Sequence, residues 1–248
     1  MTREVFLRSL DADYRDLRAA AVTAGPAAPV PTCPGWTVDD LVSHVAHVYL
    51  HKVETMRRGG FPSPWPPPPT GEAPLALLDR GYAELAAEFA VRPDEQPTKT
   101  WHEPDQTVGF WLRRMAHETV IHRTDAQLAT HVAITPIPAE LATDGIAEVL
   151  EVFLAYATAQ WPEDFDGLLT DAASVLVAAG GARWLVRVDE GRVHILPDSG
   201  GQATAQVSGA SHDVLLWLWR RVDATSVRIE GDEAAVSRLR SMLEAATQ

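Results

Sequence analysis

The chain has 248 residues, of which 46% are hydrophobic and 22% charged, proportions typical of a water-soluble globular protein. Its 34 acidic and 21 basic side chains give a formal net charge of -13, which disfavours nucleic acid as a partner. A single cysteine, Cys33, excludes an internal disulfide, and no apolar segment is long enough for a signal-peptide core or a membrane span. We therefore expect a soluble, cytoplasmic protein that binds neither nucleic acid nor membrane.

Hydrophobic residues at helical spacing predict four long helices in the first part of the chain. The second of them begins after the cap residue Thr37 and fades near Gly59. The proline-rich segment that follows, GGFPSPWPPPPTGEAP, is predicted to be a long loop because proline removes backbone donors. The predicted helices cover about residues 2–24, 37–59, 75–91 and 107–130. Four such helices suggest an antiparallel bundle, a scaffold whose interior commonly holds metal ions.

The rest of the chain is predicted to add one extra helix and a small α+β domain. The extra helix follows Pro138 and stops near Trp161. Beyond Asp166, RWLVRV, RVHILP, ATAQVSG and SVRIEG read as strands, and SHDVLLWLWRR and DEAAVSRLRSMLEAA as helices. We therefore divide the chain into a helical domain, residues 1–165, and an α+β domain, residues 166–248.

The fourth predicted helix carries a candidate metal site in the segment RMAHETVIHRTDA, residues 114–126. Glu118 and His122 lie one turn apart on the same side, so a carboxylate oxygen and an imidazole nitrogen can reach one ion. His117 lies about 140° round the helix from His122 and is expected to point elsewhere. The zinc-protease motif H-E-x-x-H is not met, because three residues separate Glu118 from His122.

A third ligand must come from another helix, because two ligands hold a divalent ion weakly against water. The second predicted helix offers three histidines on one side, among which spacing does not choose: His44, His47 and His51. Two imidazoles and one carboxylate leave open positions on zinc, and the same set suits a facial-triad iron site. Spacing alone equally permits an ordinary polar pair on a helix surface.

Two motifs, VPTCPGWTVDDLVSHVAHV and MAHETVIHRTDA, resemble the N-terminal domain of the mycothiol-dependent maleylpyruvate isomerases. That family belongs to the DinB-like metal-binding four-helix bundles. The segments AQVSGASHDVLLWLWRR and SVRIEGDEAAVSRLRSML are similar to the family's second domain, a small α+β unit of sterol-carrier-like type. The resemblance implies a divalent metal, usually zinc, held by His44, Glu118 and His122. It leaves His47 and His51 as candidates for the pocket wall or the surface.

The resemblance also implies a function, an enzyme that uses mycothiol, the low-molecular-weight thiol of actinobacteria. Zinc coordination removes the proton of a thiol at neutral pH, and the resulting metal-bound thiolate would attack a small electrophile. An isomerase would expel the thiolate after bond rotation, whereas a transferase would release the adduct, and the metal site serves both outcomes. The motifs indicate neither the substrate nor any catalytic residue beyond the metal ligands.

Two other classes of protein remain compatible with the same residues. One is a non-haem iron oxygenase built on the same facial triad. The other is a non-catalytic protein that keeps a metal ion and carries an apolar ligand in its small domain. A monomer and a homodimer are both compatible with the sequence.

Overall fold

The computed structural model describes residues 1–68, 71–170, 173–197 and 203–247. Contacts within the chain divide it into two compact units, Met1–Thr135 and Pro136–Gln248. The first unit contains the four predicted long helices: α1 (Arg3–Ala24), α2 (Val38–Arg58), α3 (Pro74–Val91) and α4 (Val108–Ala129). Of the helices in the described ranges, none combines the length and hydrophobicity that a membrane span requires.

Helix α2 begins and ends where its sequence predicts. Thr37 is the N-cap: its hydroxyl accepts a hydrogen bond from the Asp40 backbone N–H at 3.3 Å, and Asp40 accepts one from the Thr37 backbone N–H at 2.8 Å. This reciprocal pair satisfies two backbone donors that a helix start leaves open. Gly59 ends the helix with a φ of 67°, a conformation that glycine adopts without steric cost. The cap fixes the start of α2 and so the turn on which His44 lies.

Helix α4 is the most deeply buried helix of the first unit, and it packs mainly against α1 and also against α2. The ion pair between Arg123 Nε and Asp13 Oδ1, 2.9 Å apart, links α4 to α1 in the interior. Helix α2 packs closely on α3, where a Cβ atom at Gly81 would lie only 3.1 Å from the Ala46 carbonyl oxygen. Helices α2 and α4 are joined directly by the Tyr49 and Thr119 hydroxyls, whose oxygens lie 2.6 Å apart in the interior.

The second unit combines helices with one five-stranded sheet. A helical segment opens it: α5 (Ala139–Ala147) continues through a π-helical stretch (Glu148–Ala155) into α6 (Tyr156–Gln160). The other strands and α-helices among its described residues are β1 (Ser174–Ala179), β2 (Ala182–Asp189), β3 (Arg192–Pro197), β4 (Ala205–Gly209), α7 (Ser211–Leu218), β5 (Arg228–Gly231) and α8 (Glu233–Ala246). The strand order is β3-β2-β1-β4-β5, with β1 and β4 parallel and every other pair antiparallel.

The structure adds one strand that the sequence analysis did not predict, β1, at the centre of the sheet. Its residues are nearly all buried, and after Ser174 the segment VLVAA is entirely apolar, so it lacks the alternation of a half-exposed strand. The predicted domain boundary also differs from the division that the contacts give. Helix α5 packs on α7, and the π-helical stretch packs on β3, so the extra helix belongs to the second unit. By contacts the chain therefore divides after Thr135, whereas the sequence pattern placed the boundary near Asp166.

Candidate metal centre

Three polar side chains that the sequence analysis singled out lie together between α2 and α4: His44, Glu118 and His122, referred to below as the triad. Glu118 Oε1 lies 3.4 Å from His44 Nε2 and 3.3 Å from His122 Nε2. The His44 and His122 rings have centroids 5.0 Å apart and are nearly perpendicular. His44, the histidine that the family resemblance selects on α2, is thus the one that lies next to Glu118.

Two of the three separations between these donor atoms match what a zinc ion requires. Ligand atoms about 2.1 Å from a tetrahedral zinc ion lie about 3.4 Å from one another. The two measured separations from Glu118 Oε1, 3.4 and 3.3 Å, fall at this value, and all three donor atoms lie within 4.8 Å of one another. Two neutral imidazoles and one carboxylate are also a common donor set for catalytic zinc. The residues present therefore fit a divalent cation.

The electrostatics of the triad favour an ionised carboxylate. Burial opposes the charged form of Glu118, but His122, His44 and Arg114 hold its pKa well below the ordinary value. Burial likewise favours a neutral His122, but Glu118 and Asp125 raise the pKa of this ring to about 9. Without a cation the triad is therefore a charged cluster in which the proton on His122 balances Glu118.

A layer of residues behind the triad fixes its orientation. Asp125 is fully buried, and its Oδ2 lies 2.9 Å from His122 Nδ1, so this carboxylate holds one ring nitrogen and leaves Nε2 facing Glu118. Asp125 Oδ1 accepts a hydrogen bond from the Thr32 hydroxyl at 2.5 Å, and the Cys33 thiol donates to Oδ2 at 3.8 Å. The loop before α2 therefore contacts the C-terminal part of α4 and stabilises the position of Asp125.

Cys33 is closer to the triad than its sequence position indicated. No spacing rule places it there, because the cysteine precedes His44 by more than ten residues. The loop folds back onto α4 and brings the partly exposed thiol, His122 and Asp125 within 4.8 Å of one another. Cys33, His122 and Asp125 thus form a second group of possible metal ligands. Within it, His122 Nδ1, the ring nitrogen that faces away from Glu118, already contacts Asp125.

Arg114 is a neighbour of Glu118 that helical spacing alone identifies. It lies one turn before Glu118 on α4, and its guanidinium donates a hydrogen bond to Glu118 Oε2 at 2.7 Å. The bond leaves Oε1 facing the two histidines. A charge-assisted bond of this kind restricts the rotation of the carboxylate.

His47 and His51 lie outside the triad, on the part of α2 that the proline-rich segment covers. The Trp65 ring stands edge-on to both imidazoles, with centroids 6.3 Å from His47 and 5.3 Å from His51. Phe61 lies 5.7 Å from the His51 ring. These two histidines thus form an aromatic cluster with the loop.

Two further polar residues of α4 lie outside the triad. His117 points away from the triad, as the helix geometry predicted: it is buried, and the Phe6 ring meets it edge-on at 6.0 Å. Arg123, the residue after His122, is buried and forms an ion pair with Asp13. The remaining exposure of the triad lies mainly at His44, whose side chain is 37% exposed against 16% for Glu118.

Comparison with family models identifies both parts of the chain. Residues 7–127 match the model described as the mycothiol maleylpyruvate isomerase N-terminal domain. Residues 140–238 match the C-terminal domain of the same family. Together the two matches cover most of the chain. A comparison with proteins of curated function gives no match.

Two solved structures share this fold at low sequence identity. The crystal structure of a mycothiol-dependent maleylpyruvate isomerase aligns with a TM-score of 0.62 and 15% identity, covering 93% of each chain. The crystal structure of a histidine-to-alanine mutant of a mycothiol-dependent maleylpyruvate isomerase aligns with a TM-score of 0.64 and 14% identity, also covering 93% of each chain. At these identities the likeness shows a shared fold.

Proposed function

Since the chain belongs to the mycothiol maleylpyruvate isomerase family, we propose that it is a metal-dependent, mycothiol-using isomerase or S-transferase that acts on a small electrophile. The observation that carries this proposal is the convergence of His44, Glu118 and His122 at the donor spacing of a zinc site. A divalent cation held there would supply positive charge that makes a thiol acidic at neutral pH.

The chain's own residues define how such a site works. Arg114 and Asp125 restrain Glu118 and His122 from behind, so two of the three donors are positioned before any cation arrives. Pre-positioned ligands lower the entropic cost of binding. His44 stands on the exposed side of the triad and leaves access for a thiol from that side. Trp36, whose ring lies 5.0 Å from that of His44, flanks this approach.

The electrophile determines which of the two reactions follows. The thiolate forms a carbon–sulfur bond with an activated double bond, and rotation about the remaining single bond then allows the other isomer to form. Expulsion of the thiolate restores the double bond and completes an isomerisation, whereas protonation of the adduct completes a transfer. Both outcomes use the same triad, and the product distinguishes them.

The test is thiol-dependent conversion by the zinc-loaded protein. Mycothiol with maleylpyruvate, or with an activated aromatic halide, should give an isomer or a thioether that NMR spectroscopy identifies. Glu118→Gln should lower the rate at least about a hundredfold through loss of a charged ligand. Arg58→Ala, an exposed change at the end of α2, should not alter it.

Three other results would contradict the proposal. The first is zinc-loaded wild-type protein that converts neither electrophile in a thiol-dependent manner. The second is iron-dependent oxygen uptake without any thiol requirement, which would favour an oxygenase. The third is tight retention of a metal with no binding of mycothiol, which would favour a non-catalytic protein.

A further inference from the structure

Lys52 is a partly buried cation on α2 whose contacts, within the described part of the chain, include no ion pair with a carboxylate. The chain contains only two lysines, Lys52 and the exposed Lys99, and its other basic residues are arginines. Among the described residues, no carboxylate lies within ion-pair distance of Lys52 Nζ, although the chain has 34 acidic side chains. Keeping a desolvated charge unpaired is costly, so an ammonium in this position calls for an explanation.

The two contacts of Lys52 hold the ammonium without neutralising it. Nζ lies 3.2 Å from His51 Nδ1 and 4.6 Å from the centroid of the Trp111 ring. Burial, together with the charge of Lys52, lowers the pKa of His51 to about 4, so this imidazole is neutral at neutral pH and accepts the hydrogen bond. The Trp111 face contributes a cation–π interaction. Neither contact brings a negative charge to the ammonium.

Lys52 is also within electrostatic reach of the triad. It follows His44 by eight residues, about 12 Å along the helix axis, and helical side chains lean towards the N-terminus, here towards His44. Burial, with a smaller effect of Arg114, lowers the pKa of Lys52 to about 8, and Glu118 opposes this shift. The lysine therefore shares a local field with Arg114 and Glu118.

With a divalent cation bound, the region between α2 and α4 would be positive, although the protein as a whole is strongly acidic. Arg114 and Lys52 balance the two carboxylates Glu118 and Asp125, and the cation would supply the net positive charge. The chain as a whole carries a net charge of -13. A local positive site within an acidic surface selects anionic ligands.

We propose that Lys52 is a specificity-determining residue that binds a carboxylate of the substrate while the triad faces its electrophilic carbon. The inference rests on the proposed function and deepens it, since it selects an anionic over an uncharged electrophile. Arg114 is already engaged by Glu118 Oε2, so Lys52 is the cation that a ligand can pair with at no cost to the triad.

The experiment measures maleate binding to the zinc-loaded protein by calorimetry. Lys52→Met should weaken maleate binding at least about tenfold, because methionine keeps the packing against Trp111 but removes the charge. Lys99→Met is the matched control and should bind maleate like the wild type. Uncharged dimethyl maleate should not distinguish Lys52→Met from the wild type. Lys52→Arg keeps the charge and should retain most of the affinity. This variant therefore shows whether the loss in Lys52→Met comes from the missing charge or from a folding defect.

A spectroscopic readout separates anion binding from a structural role of Lys52. Reductive methylation with carbon-13 labels both lysines, and the two variants assign their NMR signals. Saturating maleate should raise the pKa of Lys52 and leave that of Lys99 unchanged. Equal maleate affinity in the wild type and Lys52→Met, or a Lys52 signal that ignores maleate, would overturn the inference. Metal content and thiol-dependent conversion are measured on the same preparation, and these two measurements test the proposed function separately from the role of Lys52.

Discussion

His122 Nδ1 lies 2.9 Å from Asp125 Oδ2, so a buried carboxylate three residues along α4 fixes which nitrogen of the ring faces the triad. With Nδ1 engaged, Nε2 is the atom that lies 3.3 Å from Glu118 Oε1. A carboxylate behind a metal-binding histidine sets its tautomer and increases its basicity. The relationship makes Asp125 a positioning residue for the candidate metal centre.

Replacement of Asp125 by asparagine should lower zinc affinity by about ten- to a hundredfold without removing the ligands. The amide keeps the size of the side chain but loses the charge that orients His122. Competition between the protein and a chelator of known affinity measures the change. Thr32→Val, which removes only the hydrogen bond to Asp125 Oδ1, serves as the milder comparison. Unchanged affinity in Asp125→Asn would show that the contact has no bearing on metal binding.

His44→Ala should abolish stoichiometric metal binding, because the remaining pair on α4 supplies only two protein ligands. Elemental analysis of the purified wild type should find about one divalent ion per chain, and the variant should contain a small fraction of that. His47→Ala, three residues along α2, should keep its metal, since its Nδ1 lies 2.7 Å from the Ser43 carbonyl oxygen, outside the triad. A wild-type protein that holds no metal, either as purified or after incubation with zinc, would rule out a metal centre.

Zinc affinity should rise with pH. Although burial favours the neutral ring, Glu118 and Asp125 raise the pKa of His122 to about 9 in the metal-free site. Below that pH the ion must displace a proton, so affinity should increase about tenfold for each pH unit between roughly 6 and 8. Glu118 contributes nothing to this slope, because its pKa lies well below the ordinary value. Calorimetry in buffers of different ionisation enthalpy should detect release of about one proton; a pH-independent affinity would refute the expectation.

Asp13→Ala should lower the free energy of unfolding by about 3–5 kcal/mol, because it leaves the Arg123 guanidinium buried without its partner. The two side chains are almost fully buried, and their atoms lie 2.9 Å apart. Urea denaturation measures the loss. The exposed pair between Arg58 and Glu54 is the control, and Arg58→Ala should change stability by less than about 0.5 kcal/mol. Similar effects of the two substitutions would mean that the interior pair is well solvated.

Particular residues show which parts of the candidate site could be predicted from the sequence. The i,i+4 spacing of Glu118 and His122 predicted that they share one side of α4, and the structure confirms that placement. Spacing on α2 did not distinguish His44 from His47 and His51, since all three lie on one side of the same helix. Family resemblance selected His44. The contacts of Cys33 and Lys52 had no signal in the sequence, because they depend on a loop and a helix that pack against α4.

The sequence by itself determined the four long helices, the start of α2 at Thr37 and the mixed character of the second unit. Those features follow from local periodicity, capping and turn residues, which act over a few positions of chain. Only the tertiary structure decided that α5 packs with the sheet unit, that β1 lies at its centre, and that three donor atoms converge between α2 and α4. These depend on contacts between residues far apart in the chain, and the geometry of such contacts is set by how whole faces pack together.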